Sequence, residues 1–209
     1  MLHPLSNQLR EGTKDSHRLA ERAPFIQRFF RGQLSREEYR TFLLQLYHIY
    51  TALEENQERY QNHEVFGPVI FPELCRKDAL VQDLNFYFGD SSWQQLPPTE
   101  ATQAYIQRIR ELGAGWVEGL VAHHYTRYLG DLSGGQALKK IVAKTFELPT
   151  SEGLAFYEFD DIPDHAEFKE NYRARLDVLP LDSAAAEKIV DEANRAFDLN
   201  RAVFESIGA

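Results

Sequence analysis

The sequence predicts an all-α fold in one domain, and three observations carry that expectation. Apolar residues recur at i+3 and i+4 spacing along several segments. Helix-starting and helix-stopping residues punctuate the chain at helical intervals. No segment sustains the period-two alternation of a half-buried strand. With 209 residues the chain is long enough for a sizeable core and short enough for a single domain over residues 1–209. No repeat and no low-complexity linker divides it.

Ser6 is placed to cap a first helix running to Arg22, and Pro24 opens a second, short one that Gly32 stops. Ser35 with Glu38 three residues on is a capping box. Behind it Tyr39, Phe42, Leu43, Leu46, Ile49, Tyr50 and Leu53 form the apolar stripe of an amphipathic helix. Pro72 opens a further helix with Leu74, Leu80, Leu84 and Phe88 as apolar members and Gly89 just past its end. Another is expected from Thr99 to Leu112, then a long helical stretch from Trp116 to Leu148, halted by Pro149. Residues 149–163 form the longest irregular segment. Two helices follow, from Asp164 to Val178 and from Asp182 to Ile207.

The charge balance is 23 Lys+Arg against 32 Asp+Glu, a net −9, which disfavours a general nucleic-acid binder because such a surface must displace counterions. The single cysteine, Cys75, can form neither an internal disulfide nor a thiolate metal cage, so a reducing, cytoplasmic setting is expected. The N-terminus lacks a basic region followed by an apolar run, and the longest uncharged stretch, residues 41–53, falls short of the roughly twenty apolar residues of a membrane span. A soluble protein without a membrane partner is expected.

Several motifs fail on inspection. Leu132-Ser133-Gly134-Gly135-Gln136 matches the signature of ABC-type ATPases, but the chain contains no Gly-Lys dipeptide and hence no phosphate loop. None of the seven histidines has a glutamate three residues before it, which weakens a di-iron carboxylate bundle. HExxH, CxxC and the GxSxG elbow are absent as well.

Three features remain. His17 and Glu21 are i, i+4 on the first helix, about 6 Å apart along its axis; the spacing fits an iron-ligating imidazole oriented by a carboxylate, and equally a surface histidine beside a glutamate. Arg10, Lys14, Arg18 and Arg22 recur every fourth residue as a slanting basic stripe, suited either to carboxylates of a ligand or partner, or to a solvated face partly neutralised by Glu11 and Asp15. Gly130, Gly134 and Gly135 interrupt a helical pattern at a cost of roughly 1 kcal/mol each. Gly130 and Gly134 share a face, open to a flat ligand or to another helix. Asp131 beside them tilts the reading towards chemistry, since a buried carboxylate serves packing poorly.

These residues resemble the heme oxygenase family. The resemblance is carried by LVAHHYTRYLGDLSGGQALKKI, LREGTKDSHRLAE, LYHIYTALEE, FPELCRKDALVQDL, FKENYRARL and EANRAFDLN, and runs from about Leu9 to Glu205. It implies a multi-helix fold with heme between a proximal and a distal helix. The activity implied is oxidative opening of heme at the α-meso carbon, giving biliverdin IXα, CO and ferrous iron. Heme b would be both substrate and cofactor, with O2 as oxidant. The chain runs out soon after the last helix, which within the family suggests the soluble, ferredoxin-dependent branch that feeds a downstream bilin reductase in phototrophs.

By the same resemblance His17 ligates the iron and Glu21 orients it. Gly130 and Gly134 bare the distal helix, Asp131 anchors a proton-delivering water network, and Tyr50, Arg127 and Asn200 hold that network in place. Lys169 and Arg173, with Arg10 and Tyr125, meet the heme propionates and set the ring's in-plane rotation. Phe29, Phe197 and Phe204 are either apolar walls or core. The basic stripe, with Lys139, Lys140 and Lys144, would receive an acidic ferredoxin. Three residues depart from the family pattern: Arg10 stands where lysine is common, His124 where a small residue is usual, and Pro24 follows the proximal helix. A heme carrier without turnover and a non-heme metal oxidase are the competing readings. An intact Gly130-Asp131-x-x-Gly134 set argues against the first, and the missing Glu-x-x-His pairs against the second.

Overall fold

In the computed structural model, which describes residues 4–207, every regular element is helical; the ends of the expected 1–209 domain lie outside the described residues. The chain folds into α1 (Leu5–Gly12), α2 (Lys14–Glu21), α3 (Pro24–Phe30), α4 (Arg36–Tyr60), α5 (Lys77–Phe88) and α6 (Glu100–Gly115). There follow α7 (Leu120–His124), a π-helical turn (Tyr125–Leu129), α8 (Gly130–Thr145), α9 (His165–Asp177) and α10 (Ser183–Glu205). Short 3-10 turns fill several of the connections. No helix among the described residues is long and apolar enough to cross a membrane.

Local signals explain most boundaries. The Ser35 hydroxyl accepts from the Glu38 amide while the Glu38 carboxylate accepts from Ser35 N–H, a reciprocal cap worth about 1 kcal/mol. Thr99, Asp164 and Asp182 cap α6, α9 and α10 through their side chains. Gly89 ends α5 at φ 80°, a left-handed position that a side chain would strain. The stripe read from the sequence is buried along α4, which packs against α5 and α6 at the centre of one contiguous core.

Two expected helices are interrupted. The first, expected to run unbroken from Ser6 to Arg22, begins at Leu5 and bends at Thr13, whose hydroxyl donates to the Leu9 carbonyl at 2.7 Å, back-bonding that bends helices. The bend sits where α10 crosses: a Cβ on Gly12 would lie 2.5 Å from Val190 Cγ1. The stretch expected from Trp116 to Leu148 is divided by a 3-10 turn at Val117–Gly119 and by the π turn, and it stops at Thr145. Pro72 opens only a single turn; α5 starts at Lys77, where the Glu54 carboxylate of α4 accepts from the amides of Arg76 (2.6 Å) and Lys77 (3.1 Å).

Distant polar groups also hold the irregular segment 149–163. Asp83 on α5, fully buried, accepts from Ala155 N–H at 2.8 Å and Phe156 N–H at 2.9 Å. The buried Arg76 guanidinium donates to the carbonyls of Leu74, Cys75 and Phe156. On the opposite side, Glu192 of α10 receives Arg108 of α6 through two nitrogens, at 2.9 and 2.6 Å, and meets His123 of α7 at 2.9 Å. Burial opposes ionisation there, but these hydrogen bonds outweigh it and hold Glu192 at about 2.

Burial pushes the Asp83 carboxyl up to about 6, in spite of its two amide donors. Its folded pKa lies above the unfolded value of 3.8, so its stabilising share is complete below pH 3.8 and is lost as pH rises through 6. Asp83→Asn, which cannot ionise, is expected to remove that part of the pH dependence. The stability of the wild type relative to the variant should fall by up to about 3 kcal/mol between pH 3.5 and 7. Urea midpoints of both proteins across this range check it; parallel pH profiles would contradict it.

Candidate functional site

The cleft is built by α2, α3, α8 and α10. It is lined by His17, Ala20 and Glu21 from the first of these, Ile26 and Phe30 from the second, and Gly130, Asp131 and Leu138 from α8. Phe197, Asn200 and Phe204 of α10 close its back, with Thr126 and Arg127 from the π turn. Three larger grooves, of about 600, 520 and 240 Å³ against about 160 Å³ here, are lined mostly by polar and charged side chains. Chemistry rather than size therefore singles out the smaller, apolar cleft.

His17 presents a half-exposed imidazole whose Nδ1 stands 3.8 Å from a Glu21 carboxylate oxygen. Its ring meets Phe197 edge-on, centroids 5.3 Å apart. No cluster of three or more His, Cys, Asp or Glu side chains among the described residues is placed to hold a metal ion. A lone imidazole of this kind suits a metal that arrives with most of its own ligands, as the iron of a heme does.

The glycines across the cleft decide between the two readings of their shared face. A Cβ built on Gly130 or Gly134 meets nothing within 4 Å. Close helix packing would have filled that space with a neighbour's atoms, as it does at Gly135, whose added Cβ would lie 3.3 Å from the Tyr157 ring. The bare face of α8 is therefore not spent on protein packing, and a flat ligand lying along the helix fits it.

Asp131 stands at the edge of that face, 12% exposed. It accepts a hydrogen bond from the Tyr50 hydroxyl of α4. Arg127, in the π turn, donates from Nη1 to Asn200 Oδ1 at 2.6 Å and from Nε to the Tyr50 hydroxyl at 3.2 Å, and Nη2 lies 3.5 Å from Asp131. Asn200 in turn reaches Tyr105 O at 3.4 Å. Burial pushes the Asp131 carboxyl well above the usual carboxylate range, because its contact with Arg127 is long and the guanidinium's shorter bonds go elsewhere. The result is a carboxyl able to keep or pass a proton beside an apolar cleft.

Tyr125, Arg10, Lys169 and Arg173 are not among the residues that line the cleft. Tyr125 is half-buried; burial raises its phenol pKa, and the charges of Arg173 and Arg10 pull it back. Lys169 lies one turn before Arg173 on α9. Arg10 also bonds Glu11 at 3.0 Å and Asn7 at 3.2 Å. The basic stripe is less free than its spacing suggested: Lys14 pairs with Glu11, Arg18 with Asp15, and Lys139 with Glu158.

Phe197 and Phe204 line the cleft as expected, whereas Phe29 does not. Its ring is 2% exposed and packs on Phe25, Tyr39 and Phe42; the wall on α3 is made by Ile26 and Phe30, the neighbouring face of the same helix. Thr126 was not anticipated. It lines the cleft with a buried hydroxyl that has no partner, and nothing in its local sequence marks it. His124, which the sequence left unassigned, lies outside the cleft lining, fully buried and bonded to Tyr172.

Comparison with known proteins now bears directly on this geometry. The heme oxygenase family model matches residues 3–206. The chain belongs to the heme oxygenase family. It is 47% identical to heme oxygenase 1 of the cyanobacterium Synechocystis over 97% of its own length and 84% of that protein's. To heme oxygenase 1 of Gallus gallus it is also 47% identical, over 99% and 71% of the two chains. The crystal structure of the Synechocystis heme oxygenase-1 in complex with heme superposes with a TM-score of 0.94, covering 99% of this chain and 93% of that one. The expected all-helical fold is thus the family's, and the family's enzymes are oxygenases acting on heme.

Filling the bare face should separate stability from binding. Gly134→Leu adds a side chain that finds space and improves helix propensity, so the ligand-free chain should unfold at higher urea, by up to about 1 kcal/mol. Position 134 lies one turn from the cleft-lining Gly130 and Leu138 on α8, so hemin uptake, followed at the Soret band, should weaken at least about tenfold. Unchanged uptake would remove Gly134 from the site.

Proposed function

We propose that this chain opens heme b oxidatively at the α-meso carbon, consuming O2 and electrons from a ferredoxin-type donor and releasing biliverdin IXα, CO and ferrous iron. The single observation that carries the reading is the pairing of a bare α8 face at Gly130 and Gly134 with the Asp131 carboxyl beside it, bonded to Tyr50 and largely withdrawn from solvent. A carrier has use for the first but not for the second. Bound heme supplies both the iron that activates O2 and the carbon skeleton that is opened.

The protein's own groups divide the remaining work. His17 would hold the heme iron, with Glu21 3.8 Å away to orient the imidazole. Gly130 and Gly134 let the backbone of α8 approach the other face, so that oxygen is confined by helix atoms rather than by side chains. Asp131 keeps a proton on its carboxyl, with Tyr50 donating to it and Arg127 and Asn200 holding the set in register. Arg10 and Arg173, whose charges act on Tyr125, with Lys169 one turn before Arg173 on α9, would supply the cations for two propionates, and Phe197 and Phe204 line the apolar cleft. Charged groups at one end and apolar groups at the other give the ring one orientation.

Among the outer cations, Lys140 and Lys144 on α8 are exposed and form no ion pair among the described residues, and they would offer charge to an acidic electron donor. The product would pass on to a bilin reductase.

The test is to add hemin, a reductant and O2 and watch the Soret band. Its replacement by a biliverdin spectrum is the expected result; a persistent band would leave a carrier, and no band would leave neither. Asp131→Ala should bind hemin yet form biliverdin roughly 10²–10⁴-fold more slowly, the range for loss of a proton-transferring group. For the donor, Lys140→Glu with Lys144→Glu should slow reduction by a ferredoxin and flatten its dependence on salt. An unchanged salt profile would place docking elsewhere.

A further inference from the structure

His124 and Tyr172 are completely buried and share a hydrogen bond of 2.7 Å between Nδ1 and the phenol oxygen. Their rings lie 12° from parallel with centroids 5.6 Å apart. The pair joins elements that otherwise pack elsewhere. His124 ends α7 directly before the π turn, while Tyr172 sits in α9, whose main contacts are α1 and the Gly67–Val69 turn. Phe66 meets His124 edge-on at 6.0 Å, and Phe71 packs on both Tyr172 and Phe168 of α9.

The contact sets a register. Tyr125 follows His124, Arg173 follows Tyr172, and the charge of Arg173 acts on the Tyr125 phenol. His124 and Tyr125, at the junction of α7 and the π turn, are thus coupled to the consecutive residues Tyr172 and Arg173 of α9, the first pair by a hydrogen bond and the second by charge. Lys169 lies three residues before Tyr172, so any slide or rotation of α9 at Tyr172 carries both Lys169 and Arg173 with it. One residue along a helix is about 1.5 Å and 100°, enough to move an ammonium or guanidinium out of reach of a carboxylate. His124 Nε2 has no partner, so among its polar contacts the ring is held by Tyr172 alone. A small side chain at position 124 would leave the Tyr172 hydroxyl buried without its bond and the space of the imidazole unfilled. Burial holds the His124 pKa at about 3, so the contact adds no charge beside the carboxylate-binding end.

We propose that His124 is a positioning residue: through Tyr172 it sets where α9 holds Lys169 and Arg173, and thereby the in-plane seating of heme and the meso edge turned to Asp131. The inference rests on the reaction proposed above, and its test is read in two independent ways. In the full chain loaded with hemin and cyanide, proton NMR of the heme methyl groups reports seating without turnover. Chromatography of the bilin isomers then reports which edge is opened. Tyr172→Phe deletes one hydroxyl, His124→Ala deletes the partner, and His124→Asn returns an oxygen close to the place of Nδ1.

Tyr172→Phe and His124→Ala are expected to introduce a second set of methyl resonances. They should also raise the ratio of other isomers to the α isomer roughly fivefold, the change expected for loss of one hydrogen bond. His124→Asn should restore the wild-type pattern. If His124→Ala does not fold, Tyr172→Phe decides alone. Wild-type methyl resonances and isomer ratios in Tyr172→Phe would overturn the proposal. A wild-type chain that binds hemin but makes no bilin would instead overturn the reaction, and the methyl resonances would still judge the seating.

Discussion

Arg127 places a guanidinium where α4, α8 and α10 converge, and the geometry of the cleft depends on what it binds there. It donates to Tyr50, to Asn200 and more distantly to Asp131. A buried cation with no partner costs several kcal/mol, so helices that satisfy it are held at the spacing its fork demands. α8 needs that support more than its neighbours do. Gly130 and Gly134 remove the side chains by which its cleft face could otherwise pack, and a helix bared on one side has to be anchored from its ends and its back. Arg127 and the Asp131–Tyr50 bond anchor one end, and Gly135 packed on Tyr157 anchors the back.

The π turn at Tyr125–Leu129 makes this arrangement possible. Its wider turn redistributes side chains around the axis, so the residues before and after it serve different partners. His123 and His124 reach α10 and α9, Tyr128 reaches Glu54 and Gln57 on α4, and Arg127 reaches the cleft. Such turns are frequent at functional sites, and here one segment touches Asn200 and Tyr50 through Arg127 and the α4 core through Tyr128.

Much of this was legible from residue types and spacing. The α4 stripe, the Ser35–Glu38 box, Gly89 and the caps at Thr99, Asp164 and Asp182 are local signals, and each acts where it was expected because its partner lies within four residues. The Gly130-Asp131-x-x-Gly134 set and the His17–Glu21 pair were visible for the same reason. The misreadings share the opposite cause. The start of α5 is capped by Glu54, more than twenty residues away. The bend at Thr13 accompanies the crossing of α10 at Gly12. Phe29 and Phe30 are adjacent aromatics on a short helix, and only the placement of the core decides which of them faces it.

The sequence by itself determined that the chain is helical, acidic and provided with one histidine–carboxylate pair and one glycine-bared helix face, because helix periodicity, capping and glycine spacing are properties of neighbours along the chain. Only the tertiary structure decided that the two glycines meet open space rather than another helix, that Gly130 and His17 share one cleft, and that burial raises the Asp131 carboxyl pKa. It likewise decided that His124, a departure from the family pattern, bonds to Tyr172. Each of these depends on a group brought in from a distant part of the chain, and the environment of a side chain is set by what packs against it.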